Sequence, residues 1–394
     1  MKSPSSLRKV RNIADLREMA RRRVPRFSFE YVDGGADDEL TLAGNRAAFA
    51  GLQILPHQLA GLGEIDLSTN VLGRRTELPI AIGPTGYNGM LSRDGDLALA
   101  RVALGAGIPF TQSTMSSSSI EEVASVLAGG RHWFQLYMLN DVSITERLVQ
   151  RASDAGCEAL VLTTDAIAVG NREGDKHNYS GPGRLAWRAK LDVAMRLPWV
   201  LDVVVPKGPP SFGNLREFLP KGQASAIDGA RFISAQMDRS ISWKSVEWLR
   251  SIWPGKLIVK GIMRPEDALT AAECGADAVV VSNHGGRQLD GAPSTMHVLP
   301  AIRDRLQGSC EILIDSGFRR GSDVFKALAL GAGVALCGRA ILFGLGAGGE
   351  AGAFKAVEIL RGEFERTMIL AGYGSVADVD EMALAGDARR FVND

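Results

Sequence analysis

The sequence lacks the features that would point to a metal site, a disulfide framework, a membrane span or a nucleic-acid surface. Its four cysteines are widely separated and form no CxxC pair, which argues against zinc and against disulfides. Forty-five basic residues balance forty-five acidic ones, so no net charge attracts nucleic acid. No stretch reaches the roughly 18 uncharged apolar residues that a spanning helix needs. We therefore expect free thiols in a reducing compartment, no metal and no nucleic-acid partner.

Two further patterns are missing. The basic start, residues 1–12, is followed by no apolar segment of the kind found in signal peptides, so we expect the catalytic body to stay in the cytoplasm. No GxGxxG opens a helix after a strand-like run, which disfavours a dinucleotide site. If the protein meets a membrane, it should lie on the cytoplasmic side of an inner or plasma membrane rather than cross it.

What is present is an alternation of short apolar runs with longer helical patterns. Continuous apolar runs are typical of parallel strands that helices cover on both faces. The spacing between successive runs, for example from Lys256 to Ala278, leaves room for one helix and two loops. This pattern predicts a (β/α)8 TIM barrel, with a doubly wound sheet as the alternative. The eight runs are LPIAIGPTG from 78, IPFTQST from 108, HWFQLYM from 132, ALVLTTD from 159, KLIVKGI from 256, AVVVSNH from 278, EILIDSG from 311 and VALCGR from 334.

The segments outside this alternation of strands and helices predict how the chain is organised. Residues 1–77 precede the first run and are predicted to form an N-terminal helical segment packed on the barrel, which spans 78–370, with a C-terminal tail at 371–394. The gap after the fourth run is far longer than one helix requires, which predicts a long insertion at 178–236. Within it, residues 184–207 mix Leu, Trp and Val with five basic residues and two acidic ones. Such a stretch, with Trp187 and Trp199, can lie in a lipid interface.

Polar residues close several of the strand-like runs. Tyr137 follows the third run, Asp165 the fourth, Lys260 the fifth, His284 the sixth and Asp315 the seventh. In an α/β barrel the C-terminal strand ends converge on one mouth, where catalytic groups project. The sequence therefore predicts an active site at this mouth.

The residue types at this mouth suggest acid–base chemistry on an anionic substrate. His284 is the natural base, because histidine titrates near neutral pH, and Asp165 or Asp315 could orient it. Arg287 offers a planar fork that matches a carboxylate, and Arg172 could supply a second. The loops after the last two runs, DSGFRRGSD and CGRA, are of the kind that binds phosphate through backbone N–H groups. A phosphorylated cofactor fits these loops better than a phosphorylated substrate, because the two arginines already account for an acid.

Four motifs carry a resemblance over roughly residues 16–370. SNHGGRQLD, DSGFRRGSDVFKALALGA, WFQLY and YVDGGADDE resemble the FMN-dependent 2-hydroxy acid dehydrogenase and oxidase family. The resemblance implies FMN as cofactor, oxidation of a 2-hydroxy acid to a 2-keto acid, and a homotetramer. The site residues that it implies are the base His284 with its partner Asp165; the substrate ligands Arg287, Arg172, Tyr31 and Tyr137; Lys260 beside the flavin; the flavin and ribityl positions Pro84, Thr85, Gly86, Ser113, Gln135, Thr163 and Ser282; and the ribityl and phosphate end at Asp315, Gly317, Arg319, Gly338 and Arg339.

The choice of acid rests on fewer residues. GPTGYNG from 83 and TTDAIAVGNREGDKHN from 163 are similar to mandelate-oxidising members, whereas RQLDGAPS from 287 resembles the lactate enzymes. Gly86 and Met115 stand at side-chain pocket positions, where small or flexible residues leave room for an aromatic ring. We therefore expect (S)-mandelate or a related aryl 2-hydroxy acid, with lactate as the alternative.

The position of the long insertion bears on the electron acceptor. The insertion falls where membrane-associated members carry their membrane-binding segment, which favours a quinone as acceptor; a soluble oxidase using oxygen, with the insertion packed on a neighbouring subunit, is the alternative. A phosphosugar isomerase or lyase would use DSGFRRGSD to hold substrate phosphate. A non-catalytic flavin-binding or membrane scaffold would make no use of His284.

Overall fold

The computed structural model describes residues 7–181, 184–206, 208–219 and 226–386. Eight parallel strands close into a barrel in sequence order, each hydrogen-bonded to the next and β8 to β1. This confirms the (β/α)8 TIM barrel and rules out the doubly wound sheet. The strands are β1 (Ile80–Thr85), β2 (Phe110–Ser113), β3 (His132–Leu136), β4 (Ala159–Thr163), β5 (Lys256–Ile262), β6 (Ala278–Val281), β7 (Glu311–Ile314) and β8 (Val334–Cys337).

Burial on both faces explains why these runs are continuously apolar. Alternate residues such as Trp133, Val161, Ile258 and Val280 fill the barrel interior and are fully buried. Their neighbours along each strand pack outward against the surrounding helices. The helices of seven or more residues are α1 (Ile13–Arg23), α2 (Arg26–Asp33), α3 (Leu40–Gly51), α4 (Gly95–Ala106), α5 (Ile120–Val126), α6 (Val142–Asp154), α7 (Trp187–Met195), α8 (Ala226–Gln236), α9 (Trp243–Ile252), α10 (Pro265–Glu273), α11 (Thr295–Leu306), α12 (Gly321–Ala329) and α13 (Arg339–Ala371), and a four-residue helix lies at Glu173–Lys176.

The N-terminal residues cover both ends of the barrel. Helices α2 and α3 reach the C-terminal mouth, where α2 carries Tyr31. A two-stranded hairpin, Thr69–Val71 with Arg74–Thr76, lies at the opposite end, where the Leu72 N–H donates to the Glu311 carboxylate at 2.9 Å. This hairpin adds strand structure to a segment whose sequence predicted only helices.

The C-terminal part of the chain returns to the N-terminal segment. Helix α13 is interrupted by non-helical backbone at Gly348 and Gly349. After it, two short 3-10 turns pack back, and Leu55 N–H donates to the carbonyl of Ala383 at 2.8 Å. Residues 387–394 of the predicted tail lie outside the described residues.

The insertion has two parts. Residues 184–206 contain α7, a short helix at Leu197–Trp199 and a π-helical turn at Val200–Val204, and Lys207 lies outside the described residues. Gly208–Leu219 forms an irregular segment with one 3-10 turn, and α8 follows. Nowhere in the described residues is a helix both long enough and apolar enough to cross a membrane.

One expectation for the insertion is wrong. Trp187 is 70% exposed, but Trp199 is only 4% exposed. The Trp199 indole donates to the Met90 carbonyl at 2.8 Å and packs edge-on against Phe27. Trp199 therefore anchors the insertion to the body of the protein and does not face a lipid interface.

Candidate active site

The site residues predicted from sequence come together at the C-terminal mouth of the barrel. Eighteen of the twenty line one cleft of about 1050 Å³, a volume that includes its open mouth. The exceptions, Ser282 and Asp165, lie behind the wall and contact residues that do line it. The side chains predicted to hold cofactor, substrate and proton therefore face one space.

His284 is held by Asp165. The imidazole Nδ1 lies 2.9 Å from Asp165 Oδ1, and the His284 backbone has a left-handed φ of 56°. Gly285 and Gly286 continue the left-handed turn, which glycine adopts without strain. Burial raises the pKa of Asp165, but the charges of His284 and Lys260 outweigh it, so the net shift is downward. Asp165 is thus a carboxylate that fixes the ring and leaves Nε2 available for proton transfer.

Asp315, which the residue types left open as a partner of His284, pairs with Lys260 instead. Its Oδ2 lies 2.9 Å from Lys260 Nζ, which also donates to Ser282 Oγ at 2.8 Å. Burial lowers the pKa of Lys260, but Asp315 and Asp165 raise it above the ordinary value. The result is a buried ammonium held in the wall of the cleft.

Two arginines form a cationic pair at the outer part of the cleft. Arg287 and Arg172 lie over the Tyr31 ring at 5.0 and 5.6 Å from its centroid. Arg287 also donates to the Tyr31 carbonyl at 2.6 Å, and Arg172 is 3.5 Å from Asp175. Burial, and then the charge of Arg172, lowers the pKa of Arg287. Two guanidinium groups that repel each other in an enclosed space favour an anion between them.

Tyr137 completes this part of the cleft. It directly follows β3 and lines the cleft with the two arginines. Burial raises the pKa of its hydroxyl, so Tyr137 is a neutral hydrogen-bonding group at neutral pH.

The other end of the cleft suits a phosphate. Arg319 and Arg339 both line the cleft, and burial lowers the pKa of Arg319 to about 10 and that of Arg339 also. The Arg339 guanidinium donates to the carbonyls of Val32, Gly34 and Gly285 at 2.8 Å, and Arg287 also donates to the Gly34 carbonyl, so Arg339 lies between Arg287 and this end. Each lies close enough to further arginines for their charges to lower its pKa, so positive charge accumulates here. Helix α13 begins at Arg339 directly after Gly338, and a helix N-terminus attracts anions through its free N–H groups. This end has the charge that the FMN phosphate requires.

The space between the two ends has polar groups for a flavin and its ribityl chain. Ser113 Oγ donates to Gln135 Oε1 at 3.0 Å, and Gln135 Nε2 donates to Thr163 Oγ1 at 3.0 Å. The Thr85 hydroxyl lines the same cleft but is buried without a hydrogen-bond partner among the described residues. A buried hydroxyl of this kind requires a ligand atom or a water molecule. The donor set and this unpaired group together fit FMN.

Gly86 and Met115 form the wall of a side-chain pocket. A Cβ atom at Gly86 would lie 2.8 Å from Met115 Cβ and 3.6 Å from the Tyr31 hydroxyl. Tyr87 N–H donates to the Met115 carbonyl at 2.8 Å, which joins the two loops. Glycine at position 86 therefore lets the loop after β2 approach the loop after β1 more closely than an alanine would allow.

Sequence reasoning missed several cleft residues. Gly83 and Leu336 lie on strands, where the alternation of side chains could have indicated them. Ser316 and Phe318 lie within DSGFRRGSD, so including every residue of that motif would have found them. Arg46 of α3, which donates to Asp323 at 2.6 Å and to the Gly317 carbonyl, gave no local signal. The missed lining residues are Val32, Gly83, Ser316, Phe318, Leu336 and Leu342.

Known proteins resemble this chain over almost its whole length. Residues 20–386 match the family model described as FMN-dependent dehydrogenase. L-lactate dehydrogenase of Yersinia pestis (strain Pestoides F) is 42% identical over 376 residues, 95% of this chain and 98% of that protein. The crystal structure of the monotopic membrane protein (S)-mandelate dehydrogenase superposes with a TM-score of 0.91 at 41% identity, covering 96% and 100% of the two chains. A mandelate oxidase structure gives a TM-score of 0.77 at 36% identity, covering 97% and 98%.

These matches argue against the competing hypothesis of a phosphosugar isomerase or lyase. They agree with the cleft, whose phosphate end, polar middle and cationic outer end are those of a flavin enzyme acting on an anion. The chain belongs to the FMN-dependent dehydrogenase family.

Proposed function

We propose that the protein oxidises an (S)-2-hydroxy acid to the 2-keto acid, with (S)-mandelate or a related aryl acid as substrate. The observation that carries the proposal is the placement of the His284–Asp165 pair beside the Arg172–Arg287 pair in one cleft. An acid bound through its carboxylate to the two arginines lies within the cleft that His284 lines. This combination suits proton removal from a carboxylate-bearing substrate.

The residues of the chain divide the work. Bound FMN supplies a two-electron acceptor. His284 accepts the substrate proton at Nε2, and Asp165 stabilises the imidazolium that forms. Tyr31 and Tyr137 offer hydroxyl groups beside the arginines, and Lys260 places a positive charge in the wall at the Thr163 side.

An aryl acid is favoured by the pocket at Gly86. Glycine at position 86 lets Met115 approach without a clash, and the flexible Met115 side chain can adjust to an aromatic ring. The similarity to (S)-mandelate dehydrogenase supports this choice. The similarity to the Yersinia enzyme supports L-lactate as the second candidate.

The electron acceptor that we propose is a membrane quinone, reached by peripheral contact through the insertion on the cytoplasmic side. Six apolar side chains of residues 187–205 are 54–70% exposed, and Arg188 and Lys190 lie among them. Apolar groups with basic neighbours suit an anionic lipid surface. The similarity to a mandelate oxidase keeps oxygen as the alternative acceptor, and the homotetramer remains a prediction. The six side chains are Trp187, Leu191, Met195, Leu197, Leu201 and Val205.

The insertion assignment has its own test. Replacing Trp187, Leu201 and Val205 together with Ser should move the protein from the membrane pellet to the supernatant, while the rate of flavin reduction stays within twofold of wild type. Met382→Ser, at a side chain that is 72% exposed elsewhere, is the matched control and should still sediment. Continued sedimentation of the triple variant would contradict the membrane role of residues 187–205.

The catalytic proposal is tested by mixing the oxidised holoenzyme anaerobically with glycolate, (S)-lactate, (S)-mandelate and 4-hydroxymandelate. Loss of the flavin absorbance near 450 nm should be fastest with an aryl acid. Faster reduction by lactate would transfer the assignment to L-lactate. A flavin that none of the four acids reduces would refute oxidation of these 2-hydroxy acids.

A further inference from the structure

The second part of the insertion, Gly208–Leu219, is packed differently from the first. We call these residues the strut. Phe212, Asn214 and Leu215 are at most 4% exposed, in contrast to the exposed apolar side chains of residues 187–205. The strut is therefore part of the folded body, although it belongs to the insertion.

The strut contacts the loop that follows β2. Gly213 N–H donates to the Ser116 carbonyl at 2.9 Å, and Asn214 Nδ2 donates to the Ser113 carbonyl at 3.2 Å. A Cβ atom at Gly213 would lie 2.3 Å from the Ser118 carbonyl carbon, so the two backbones are in close contact. Residues 113–118 are thus held from outside by two successive residues of the strut.

The strut also contacts the loop that follows β1. The Tyr87 hydroxyl donates to the Pro210 carbonyl at 2.9 Å, and the Tyr87 ring lies 5.0 Å from that of Phe212. The two loops carry Gly86 and Met115, which form the side-chain pocket. Through these contacts the strut supports both walls of that pocket.

Asn214 is the most unusual residue of the strut. Its side chain is fully buried, and its Oδ1 has no hydrogen-bond partner among the described residues. An unpaired buried carbonyl opposes stability, so the side chain is not explained by stability alone. The side-chain amide donates to the carbonyl of Ser113, which directly precedes Thr114 and Met115 in the chain. Arg151 holds the strut in turn, donating to the Asn214 carbonyl at 3.0 Å and pairing with Glu217 at 2.9 Å.

We propose that Asn214 is a positioning residue that sets the shape of the acid side-chain pocket by fixing the loop of residues 113–118. Its specificity role rests on the proposed oxidation of a 2-hydroxy acid. The insertion then has two tasks, since six apolar side chains of residues 187–205 face outward and the strut holds the pocket wall.

The test uses Asn214→Leu, which keeps the volume but removes both polar atoms, and Asn214→Ala as a second variant if the first does not fold. Arg216→Ala is the matched control, because Arg216 is exposed in the same strut and its guanidinium donates to the Ser211 hydroxyl within the strut. The holoenzymes are compared by FMN content, melting temperature, hydrogen exchange of residues 113–118, and kcat and KM for (S)-mandelate and (S)-lactate.

We expect the Asn214 variants to retain FMN and to speed exchange of the 113–118 amides at least tenfold. The ratio of kcat/KM values for the two acids should change at least fivefold, mainly through KM, and Arg216→Ala should behave as wild type. Unchanged exchange, or an equal loss for both acids, would overturn the proposal. If wild type were reduced by neither acid, the proposed function would fail, and with it the specificity role, while the exchange result would still decide whether Asn214 holds the loop.

Discussion

Replacing Asp165 with Asn tests the pairing on which the proposed chemistry depends. The change keeps the shape of the side chain but removes the negative charge that lies 2.9 Å from His284 Nδ1. It also allows the amide to present an N–H group to the ring, which favours the wrong tautomer. When His284 takes a proton, the imidazolium is then left without its carboxylate.

The magnitude follows from the geometry. A hydrogen bond to a charged group contributes about 1.5–3 kcal/mol, and each ~1.4 kcal/mol of lost transition-state stabilisation is tenfold in rate. Asp165→Asn should therefore slow the limiting rate of flavin reduction by roughly 10- to 150-fold. The apparent binding of the acid should change little, because Arg172 and Arg287 are untouched.

Anaerobic stopped-flow reduction of the bound flavin measures this rate without interference from the acceptor. Asp277→Asn is a suitable control, because Asp277 is also a carboxylate with a lowered pKa and an ion pair, but it precedes β6 at the opposite end of the barrel. The control should lose stability and keep its reduction rate. A rate for Asp165→Asn within threefold of wild type would refute the role of Asp165.

Two further variants probe the pocket wall and the buried carboxyl beside it. Gly86→Ala places a Cβ atom 2.8 Å from that of Met115, an overpacking of about 1–3 kcal/mol. Steady-state kcat/KM for mandelate should therefore fall roughly tenfold, and kcat/KM for lactate should fall less. Gly63→Ala, with open space around the added Cβ, should have no effect. Asp96 is fully buried, and burial raises its pKa to about 6 from an ordinary 3.8, so the native state keeps a proton that the unfolded chain releases and wild-type stability falls as pH rises from about 4 to 6. Urea unfolding should therefore show the stability of Asp96→Asn relative to wild type improving by up to about 3 kcal/mol between pH 4 and pH 7, and a difference that is constant with pH would contradict the raised pKa.

Much of the barrel could be predicted because its signals are local. A strand buried on both faces must be continuously apolar, so runs such as AVVVSNH and EILIDSG located β6 and β7 directly. The short hairpin at Thr69–Val71 and Arg74–Thr76 has only three residues in each strand and no such run, so no apolar pattern indicated it. Its stability comes from distant contacts such as the one with Glu311.

The site residues also divide into those with a local sequence signal and those that depend on distant contacts. The motifs SNHGGRQLD and DSGFRRGSD directly follow strands, and this position predicts that their side chains lie at the C-terminal mouth. They contain His284, Arg287 and part of the phosphate end. The residue types alone left Asp165 and Asp315 open as partners of His284. The resemblance implied Asp165, and the structure places Asp165 at His284 and Asp315 against Lys260. Asn214 lies about one hundred residues from the carbonyl that it contacts, so no local pattern could reveal it. Trp199 stands in a stretch whose composition is typical of a membrane anchor, yet it is buried, with a long-range hydrogen bond to Met90 and packing against Phe27.

The most direct test of the central claim is the rate of anaerobic flavin reduction by (S)-mandelate in the wild-type holoenzyme and in His284→Ala. Wild type should lose its flavin absorbance within seconds, and the variant, which still holds FMN, should be slower by roughly a thousandfold, because Asp315, a carboxylate that also lines the cleft, is paired with Lys260. Equal rates in the two proteins would contradict the assignment of His284 as the base, and a wild-type flavin that mandelate does not reduce would contradict the choice of an aryl acid.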